Sequence, residues 1–459
     1  MKLVLHRLFI ICSLLASVKG YSQLTYQGKS FFLHGANIPW HYCGADVGTH
    51  YQWGPLYNGA WWDSTFTACE NNKVNCVRLW LHADGRATPE FDVMGSVSGL
   101  DTNFFSNLDD LLNSANQHNL LVILSLWSFE MTGDLTSGAG QYAGLHANLI
   151  SDSSKTRTYI NNALIPMVKR YANQCNLLAF EIINEPEWSM VVNGGGNTVQ
   201  TVTAKEMQRF VGMQAEAIHK NSKKMVTVGS ACLKWNSNKY SSTTPTEGNY
   251  WSNTAIQSAY NKPLAYLDFY QIHYYDYMSN KYLLDPFNKS YPFSYWQLDK
   301  PTIIGECPAQ SKIYSNKTLL ANALKNKFSG VLFWSYGAGD GIGSFSDFKS
   351  DISNFSDSLL GAYLFSCPTI TFVSDAIPST DSFYIYPNPA HEKLIVKPAD
   401  NVQGVYSLSI IDISGKVVCD KTFSSTETVE LNMREYKSGI YFIRLMYENN
   451  TVIQKLVIQ

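Results

Sequence analysis

The stretch LLAFEIINEPE, residues 177–187, joins a short apolar run to a polar cluster. Apolar residues in the run do not alternate with polar ones, a pattern typical of a strand buried on both faces in a parallel sheet. Asn184 and Glu185 end the run, where side chains reach the edge of such a sheet. The fold therefore depends on how many runs of this kind the chain contains.

Eight such runs recur, separated by amphipathic stretches that we predict to be helices. The runs are Phe31–Asn37, Cys76–Leu81, Leu120–Trp127, Leu177–Glu185, Lys224–Ser230, Leu267–Tyr275, Pro301–Glu306 and Gly330–Tyr336. The predicted helices include Asn103–His118, Lys155–Tyr171 and Thr203–His219. Eight alternations predict an α/β fold, a (β/α)8 TIM barrel. The alternative is an open doubly wound sheet, which we favour less because no Gly-rich phosphate fingerprint follows the first run.

The ends of these runs carry polar or aromatic side chains, although their bodies are apolar. In a (β/α)8 barrel the chemistry lies at the carboxyl ends of the strands. The side chains at or near these ends are Asn37, Arg78, Trp127, Asn184, Glu185, His273, Tyr275, Glu306 and Trp334. We expect them to converge on one cleft.

Bulk composition excludes some classes of function. Only 16% of the residues are charged and the formal net charge is -2, so the chain lacks the basic surface that nucleic-acid binding requires. Aromatic residues make up 14% of the chain. Part of this load belongs in a core, and part can line a carbohydrate cleft, because aromatic rings stack on the apolar C–H faces of sugars.

The N-terminus has the pattern of a secretory signal peptide, which we place at residues 1–22. Charged residues precede the apolar run Leu8–Val18, and Gly20 follows it. The run is too short to span a bilayer comfortably, and no later segment is long and apolar enough to be a transmembrane helix. The mature chain is therefore expected to be exported.

The composition changes near Cys367. Residues 367–382, CPTITFVSDAIPSTDS, are rich in Pro, Ser and Thr and are predicted to be a linker that follows a catalytic domain at residues 23–366. Beyond the linker, short alternating runs predict a small all-β sandwich over residues 383–459. This sandwich has no grouping of carboxylates with histidine, so we assign it no catalysis.

Eight cysteines remain after the signal peptide, and they are scattered irregularly. Export permits disulfides, but this scatter is not a disulfide framework, and we expect mostly buried free thiols. No CxxC pair or His/Cys cluster has the spacing of a zinc site. We therefore predict no metal and no cofactor.

Glu185 and Glu306 end the fourth and seventh runs, which face each other across an eight-stranded barrel. Cleavage of a glycosidic bond requires two flanking carboxyl groups, one to protonate the leaving oxygen and one to attack the anomeric carbon or activate water. We predict that this pair is catalytic, because a surface or helix N-terminal role would not explain its position. Glu181, within a run, and Glu187, after Pro186, are weaker candidates.

Three polar residues can support the carboxylate pair. Arg78 can hydrogen-bond Glu306 and keep it ionised, because an adjacent cation lowers a carboxylate pKa; a structural ion pair in the barrel is the alternative. Tyr275 can donate to Glu306. Asn184 can bind the 2-hydroxyl of a sugar, a contact that strengthens in the transition state.

Two further side chains fit the same cleft. His273 and Tyr275 are two residues apart and so share one strand face, which lets His273 orient the acid/base or contact substrate. A purely structural histidine is the alternative. Trp334 can form the floor under the reacting sugar, or it can belong to the ordinary core.

Taken in order, Arg78, Asn184-Glu185-Pro186, His273-x-Tyr275, Glu306 and Trp334 resemble the pattern of glycoside hydrolase family 5, a family of retaining enzymes with a (β/α)8 fold. The resemblance covers residues 23–362. It implies that Glu185 is the general acid/base and that Glu306 is the nucleophile.

Finer motifs are similar to those of the molluscan-type β-mannanases in that family. These motifs are NCVRLWLH at residues 75–82, ATPEFD at 87–92, LSLW at 124–127, MVTVGS at 225–230 and YQIH at 270–273. The resemblance implies endo-1,4-β-mannan hydrolysis with retention. It also places His82 at the cleft as a substrate contact, with packing as the alternative. Trp127 stands where many members carry a helper histidine, and Cys307 stands where a bulky residue is common.

The C-terminal motifs resemble the sorting domains read by the type IX secretion system. They are YPNP at residues 386–389, LIV at 394–396, DISGKVV at 412–418 and SGIYFIR at 438–444. The resemblance implies export across an outer membrane. A carbohydrate-binding β-sandwich is the alternative, and the lack of any Trp beyond residue 366 argues against it.

These features predict a secreted retaining endo-1,4-β-mannanase that hydrolyses β-mannan, glucomannan or galactomannan by double displacement. The alternatives are an endo-β-1,4-glucanase of the same family and a non-catalytic glycan-binding surface protein. The expected partners are β-mannan or a related plant polysaccharide and the secretion machinery, without nucleic acid. We expect a monomer, secreted or at the cell surface, that crosses both membranes of a Gram-negative bacterium.

Overall fold

The computed structural model describes residues 23–42, 44–50, 53–133, 146–191, 200–240, 248–367, 383–399, 404–413, 416–424, 427–447 and 450–458. The expected signal peptide, residues 1–22, lies outside these ranges, as does most of the expected linker, residues 368–382. The chain divides into two compact units, Met1–Cys367 and Pro368–Gln459.

The first unit is built on a closed barrel of eight parallel strands. In chain order these strands, β1 to β8, are Leu33–Ile38, Cys76–Ala83, Leu121–Ser128, Leu177–Asn184, Met225–Ser230, Tyr270–His273, Thr302–Pro308 and Gly330–Trp334. Strand β8 pairs with β1 in parallel, with Gly330 opposite Leu33 and Phe333 opposite Ala36, so the sheet has no edge. This closure confirms the predicted (β/α)8 barrel and excludes the open sheet.

Helices alternate with the barrel strands along the chain. The described α-helices are Gly59–Asn71, Phe104–Gln117, His146–Ser151, Ser153–Tyr159, Ile165–Arg170, Ala204–Asn221, Asn253–Ala259, Asp276–Tyr282, Asn316–Lys325 and Phe345–Ser358. Single 3-10 turns lie at Phe129–Thr132, Pro186–Ser189, Leu233–Asn236, Asn238–Tyr240 and Phe293–Trp296. None of the helices in the described ranges combines the length and apolar character needed to cross a bilayer.

One predicted helix, Lys155–Tyr171, is interrupted. Two short α-helices flank a π-helical turn at Ile160–Leu164. Pro166 has no N–H with which to continue the α-helical ladder, and the Ile165 N–H donates to Ile160 O, five residues back. Proline chemistry therefore explains the break that the amphipathic pattern alone does not show.

The barrel strands are buried along almost their whole length, as the absence of alternation predicts. Much of the aromatic content lies in the core around them, and Trp62, Trp127, Trp251 and Trp296 are among the largest fully buried side chains. This placement accounts for part of the aromatic load without any ligand.

The second unit consists of antiparallel strands, as predicted. In chain order its strands, β9 to β15, are Phe383–Tyr386, Lys393–Pro398, Val405–Asp412, Val417–Ser424, Val429–Asn432, Gly439–Tyr447 and Asn450–Ile458. They form a three-stranded sheet in the order β9-β10-β13 and a four-stranded sheet in the order β12-β11-β14-β15. Alternate side chains such as Leu394, Val396, Leu408 and Ile410 are fully buried and build the core of this unit.

Cys175 and Cys367 form a disulfide with a Cα–Cα distance of 5.7 Å. The two cysteines are 192 residues apart, and nothing in the local sequence pairs them. The free cysteines of the described ranges are mostly buried, in line with the expectation: Cys69, Cys76, Cys232 and Cys307 are buried and Cys419 is partly exposed. Cys43 lies outside the described residues.

Candidate active site

Glu185 and Glu306 lie at the carboxyl ends of β4 and β7, on opposite sides of the barrel. Glu185 directly follows β4 in a left-handed backbone conformation, with φ of 45° and ψ of 49°. Its N–H donates to Gly229 O at 2.6 Å. A non-glycine residue in this region stores backbone strain, which is a frequent property of residues at active sites. Here it ends the strand abruptly before Pro186 and turns the Glu185 side chain into the mouth of the barrel.

The two carboxyl groups are close together. One oxygen of Glu185, one oxygen of Glu306 and a ring nitrogen of His273 all lie within 4.8 Å of one another. Carboxyl groups are about 5–5.5 Å apart in retaining glycosidases and about 6.5–9.5 Å apart in inverting ones, which need room for a water molecule. The spacing therefore fits direct attack by one carboxylate.

Glu306 is 3% exposed and is held by two donors. Arg78 Nη1 donates to Oε1 at 2.6 Å, and the Tyr275 hydroxyl donates to Oε2 at 2.7 Å. Burial raises the pKa of Glu306, and the charge of Glu185 acts in the same direction, while the nearby His273 ring, the Arg78 charge and the Tyr275 hydrogen bond lower it. Arg78 thus lowers the pKa of Glu306, as expected, but burial raises it by more, so the net shift is upward.

Arg78 is itself fixed by Glu181, the weaker carboxylate candidate within the fourth run. Arg78 Nε and Nη2 each lie 2.5 Å from one oxygen of Glu181, and both side chains are completely buried. Ser125 and Gln271 donate further hydrogen bonds to the same carboxylate. Glu181 therefore positions Arg78 below the cleft. A charged residue in the middle of an apolar strand was the available signal, because a buried carboxylate needs a cation.

Glu185 lies in a different environment. Its side chain is 14% exposed; Trp188 Nε1 donates to Oε2 at 2.8 Å, and His273 Nδ1 lies 2.8 Å from Oε1. Burial raises the pKa of Glu185 to about 7, against the lowering effects of the Trp188 hydrogen bond and the Arg78 charge. A carboxyl group with such a pKa is suited to hold a proton near neutral pH and to donate it.

His273 lies between the two carboxyl groups. Its Nδ1 is 2.8 Å from Glu185 and 3.4 Å from Glu306 Oε2. Burial lowers the pKa of His273 to about 4, so the ring is neutral at neutral pH. Nδ1 faces carboxyl oxygens, which accept, whereas the buried Nε2 has no partner among the described residues, so we place the proton on Nδ1. The ring therefore donates Nδ1–H to Glu185.

Asn184 precedes Glu185 at the end of β4. Its Oδ1 accepts from Arg78 Nη2 at 2.7 Å, and its Nδ2 donates to Ser128 Oγ at 3.1 Å. Asn37 lies on the other side of Arg78 and accepts from Nη1 at 2.9 Å. The guanidinium group thus orients two amides as well as a carboxylate.

Trp334 ends β8 and is partly exposed. Its indole packs edge-on against Trp80, with ring centroids 5.5 Å apart, and Nε1 donates to Asp340 at 2.6 Å. Trp80 in turn lies under the Arg78 guanidinium, 4.0 Å from its ring centroid. Trp334 is therefore held beside the polar cluster by Trp80 and Asp340 and stays partly exposed.

Trp127 and His82 do not line the cleft. Both are completely buried, their rings pack against each other at 4.8 Å, and His82 Nε2 lies 3.1 Å from the Tyr159 hydroxyl. The expectation that His82 contacts substrate is corrected, because packing encloses the ring. Glu187 is also buried: it accepts from Trp251 Nε1 at 2.7 Å, so it connects a loop to the core.

Glu185, His273 and Glu306 are close enough to suggest a cation site. However, both oxygens of Glu306 already accept hydrogen bonds from Arg78 and Tyr275, and the His273 nitrogen that faces the carboxylates carries a proton. This donor arrangement fits proton transfer and charge stabilisation better than metal ligation.

Two family models match the chain. Residues 32–340 match the cellulase model of glycosyl hydrolase family 5, and residues 384–459 match the secretion system C-terminal sorting domain. The first match covers most of the barrel unit, and the second covers almost all of the described part of the β unit.

Two curated mannan endo-1,4-β-mannosidases are similar in sequence to this chain. A mannan endo-1,4-β-mannosidase from Mytilus edulis is 32% identical over 345 residues, which cover 71% of this chain and 88% of that protein. A protein of the same name from Cryptopygus antarcticus is 30% identical over 341 residues, which cover 69% of this chain and 84% of that protein.

A solved endo-1,4-β-mannanase from Eisenia fetida has a similar fold, with a TM-score of 0.63 and 27% identity over 72% of this chain and 92% of that one. Because the first family model matches more than half of the sequence and curated relatives agree with it, the chain belongs to glycosyl hydrolase family 5, with a secretion sorting domain at its C-terminus.

Proposed function

We propose that this glycoside hydrolase is a retaining endo-1,4-β-mannanase that cleaves β-mannan, glucomannan and galactomannan by double displacement. The observation that carries the reaction type is the close approach of Glu185 and Glu306, within 4.8 Å between one oxygen of each. The substrate class is supported by the names of the curated relatives, which align with 71% and 69% of this chain at 32% and 30% identity.

In the first step, Glu306 attacks the anomeric carbon while Glu185 gives its proton to the leaving glycosidic oxygen. The raised pKa of Glu185, about 7, keeps this proton in place at neutral pH. Arg78 and Tyr275 keep Glu306 aimed and stabilise its charge through their two hydrogen bonds. In the second step, Glu185 takes a proton from water, which then attacks the glycosyl-enzyme ester and releases Glu306.

Asn184, Trp334 and His273 assist this reaction. Asn184 binds the 2-hydroxyl of the reacting sugar, and Arg78 fixes the orientation of its amide. Trp334 stacks under the same sugar ring. His273 donates to Glu185 and so helps stabilise its ionised form after proton transfer.

The proposal predicts that Glu306→Ala abolishes mannan hydrolysis while the thermal unfolding transition of the protein persists. Glu90→Gln is the matched control, because Glu90 is an exposed carboxylate that takes no part in the proposed reaction, and it should retain full activity. Mannan hydrolysis by Glu306→Ala at the wild-type rate would refute the assignment of the nucleophile. The anomer of the first product, followed by NMR, should have the same configuration as the substrate.

An endo-β-1,4-glucanase is the second candidate, because the family model that matches residues 32–340 is described as a cellulase. A panel of mannan, glucomannan, galactomannan and carboxymethyl cellulose separates the two. We expect cleavage of the three mannose-containing polymers. Cleavage of carboxymethyl cellulose alone would replace the proposed substrate.

We further propose that the enzyme acts as a monomer after export through the type IX secretion system of a Gram-negative bacterium. The support for export is the C-terminal sorting domain at residues 384–459. Deletion of residues 383–459 should leave the enzyme in the periplasm, which immunoblotting of the periplasm and the culture medium tests.

Light scattering of the purified enzyme tests whether it is a monomer.

A further inference from the structure

A third carboxylate lies beside the cleft, outside the Glu185–Glu306 pair. Glu130 follows β3 in the turn Phe129–Thr132, and its side chain is exposed. Ser128 Oγ donates to Glu130 Oε2 and accepts from Asn184 Nδ2 at 3.1 Å. Glu130 is therefore two hydrogen bonds away from the amide that is proposed to bind the sugar 2-hydroxyl.

The turn that carries Glu130 is fixed to the turn that follows Glu185. Thr132 Oγ1 lies 2.6 Å from Ser189 Oγ, and Ser189 Oγ donates to Phe129 O at 3.3 Å. These bonds join the ends of β3 and β4 on the cleft side of the barrel. Glu130 thus has a defined position relative to the reacting groups, as a binding residue requires.

No cation among the residues that the structure describes pairs with Glu130, whose carboxylate accepts from Ser128 Oγ and from its own backbone N–H. The charged groups that act on it are Glu185 and Asp84, which are both acidic. Burial of the carboxyl group between the cleft walls is the main cause that raises the pKa of Glu130, to about 7; the Ser128 hydrogen bond lowers it, and the two acidic neighbours add to the rise. A carboxylate in such surroundings is stabilised by hydroxyl donors, and a sugar supplies these.

We propose that Glu130 accepts a hydrogen bond from the axial 2-hydroxyl of the mannosyl unit bound over Asn184, and thereby makes the cleft prefer mannan to glucan. This inference rests on the proposed function. Asn184 is almost fully buried at the base of the cleft, whereas Glu130 is exposed on its wall. The axial 2-hydroxyl of mannose projects out of the ring plane, where it can accept from Asn184 and donate to Glu130, whereas an equatorial 2-hydroxyl stays near the ring plane and would reach Asn184 alone.

The test compares Glu130→Ala and Glu130→Gln with the wild type on mannopentaose and cellopentaose. Glu130→Ala should lower kcat/KM on mannopentaose by about tenfold to a hundredfold, the effect of one hydrogen bond to a charged group. Its kcat/KM on cellopentaose should stay within about twofold of the wild type. The kcat/KM of Glu130→Gln on mannopentaose should lie between those of the wild type and Glu130→Ala, because the amide oxygen still accepts a hydrogen bond. Glu90→Gln controls for the loss of an acidic group and should leave kcat/KM unchanged on both substrates.

A second measurement separates binding from chemistry. Calorimetry of mannotriose and cellotriose with Glu306→Ala and with Glu306→Ala/Glu130→Ala should show weaker binding of mannotriose only. An unchanged preference, or equal losses on both sugars, would overturn the role of Glu130. The wild type reports on the proposed function independently: cleavage of cellopentaose without mannopentaose would refute the mannanase activity, whereas a mannan-specific wild type with an equally specific Glu130→Ala would refute only the inference.

Discussion

Glu185 and Glu306 are identical side chains that their neighbours make unequal. Glu306 receives a guanidinium N–H from Arg78 and a phenol O–H from Tyr275, both of which favour its ionised form. Within the described part of the chain, Glu185 receives the N–H groups of a neutral imidazole and of the Trp188 indole. The proposed division into nucleophile and acid/base rests on this difference in donors.

This difference predicts the effect of Trp188→Phe on the pH dependence. The indole N–H stabilises ionised Glu185 and so lowers its pKa, which burial places at about 7. Removing the donor should raise the pKa of Glu185. Because Glu185 must be protonated to act as the acid, kcat/KM falls as the pH rises through this pKa, and the alkaline limb should move to higher pH. Rates on mannopentaose between about pH 4 and pH 10 measure the shift.

Trp235→Phe is the matched control for this prediction. Trp235 lines the same pocket as Trp188, so its loss should reduce the size of the aromatic surface without changing the alkaline limb. A limb that moves equally in both variants, or that moves to lower pH in Trp188→Phe, would contradict the effect of the indole hydrogen bond.

The catalytic candidates could be predicted from the sequence because each follows an apolar run at the reactive end of a barrel. The side chains that tune them could not. Trp188 and Glu130 lie in short turns after β4 and β3, where no periodic pattern fixes the direction of a side chain. Glu181 had a signal, its place within an apolar strand, but its partner Arg78 is 103 residues away and only the barrel brings them together.

At the level of the strands, β5 needs a glycine at the point where it passes the Arg78–Glu181 ion pair. A Cβ on Gly229 would lie 2.8 Å from Arg78 Nη2 and 2.8 Å from Glu181 Oε1. Such distances are too short for a methyl group, and both partners are completely buried. The absence of a side chain at Gly229 therefore makes room for the Arg78–Glu181 ion pair.

Gly229→Ala should consequently displace Arg78 and weaken its bond to Glu306. We expect a loss of about 1–3 kcal/mol in the free energy of unfolding from overpacking, together with a fall of at least about tenfold in kcat. Urea unfolding and initial rates measure the two effects. Gly99→Ala is the control, because a Cβ there meets nothing within 4 Å. Wild-type kcat in Gly229→Ala would show that the ion pair does not need this space.

The strand limits were predicted to within a few residues because a strand that is buried on both faces is a continuous run of apolar residues. The prediction was poorest at β6, expected over Leu267–Tyr275 and observed at Tyr270–His273. Apolar and aromatic residues continue on both sides of this strand, so composition does not mark where its hydrogen bonds stop. Tyr275 consequently reaches Glu306 from the loop after β6, immediately before the helix Asp276–Tyr282.

At the level of the whole chain, the candidate active site and the disulfide lie at opposite ends of the barrel. The reactive side chains lie at the carboxyl ends of the strands, whereas Cys175 lies just before the start of β4, at the opposite end of the barrel. Its disulfide partner, Cys367, is the last residue of the unit. The sequence could not pair them, because eight scattered cysteines allow many pairings and only the closed barrel brings these two together.

This disulfide should stabilise the barrel unit without affecting catalysis. It closes a loop with a sequence separation of 192 residues, and removing it in Cys175→Ser/Cys367→Ser should lower the free energy of unfolding by about 2–4 kcal/mol while kcat and KM on mannan stay at wild-type values. Denaturant unfolding with and without reductant measures the effect. Reductant should destabilise the wild type and leave the variant unchanged, since the variant lacks the bond. Equal unfolding of both proteins in the absence of reductant would mean that the bond contributes nothing to stability, and a parallel loss of kcat would mean that the two ends of the barrel are coupled.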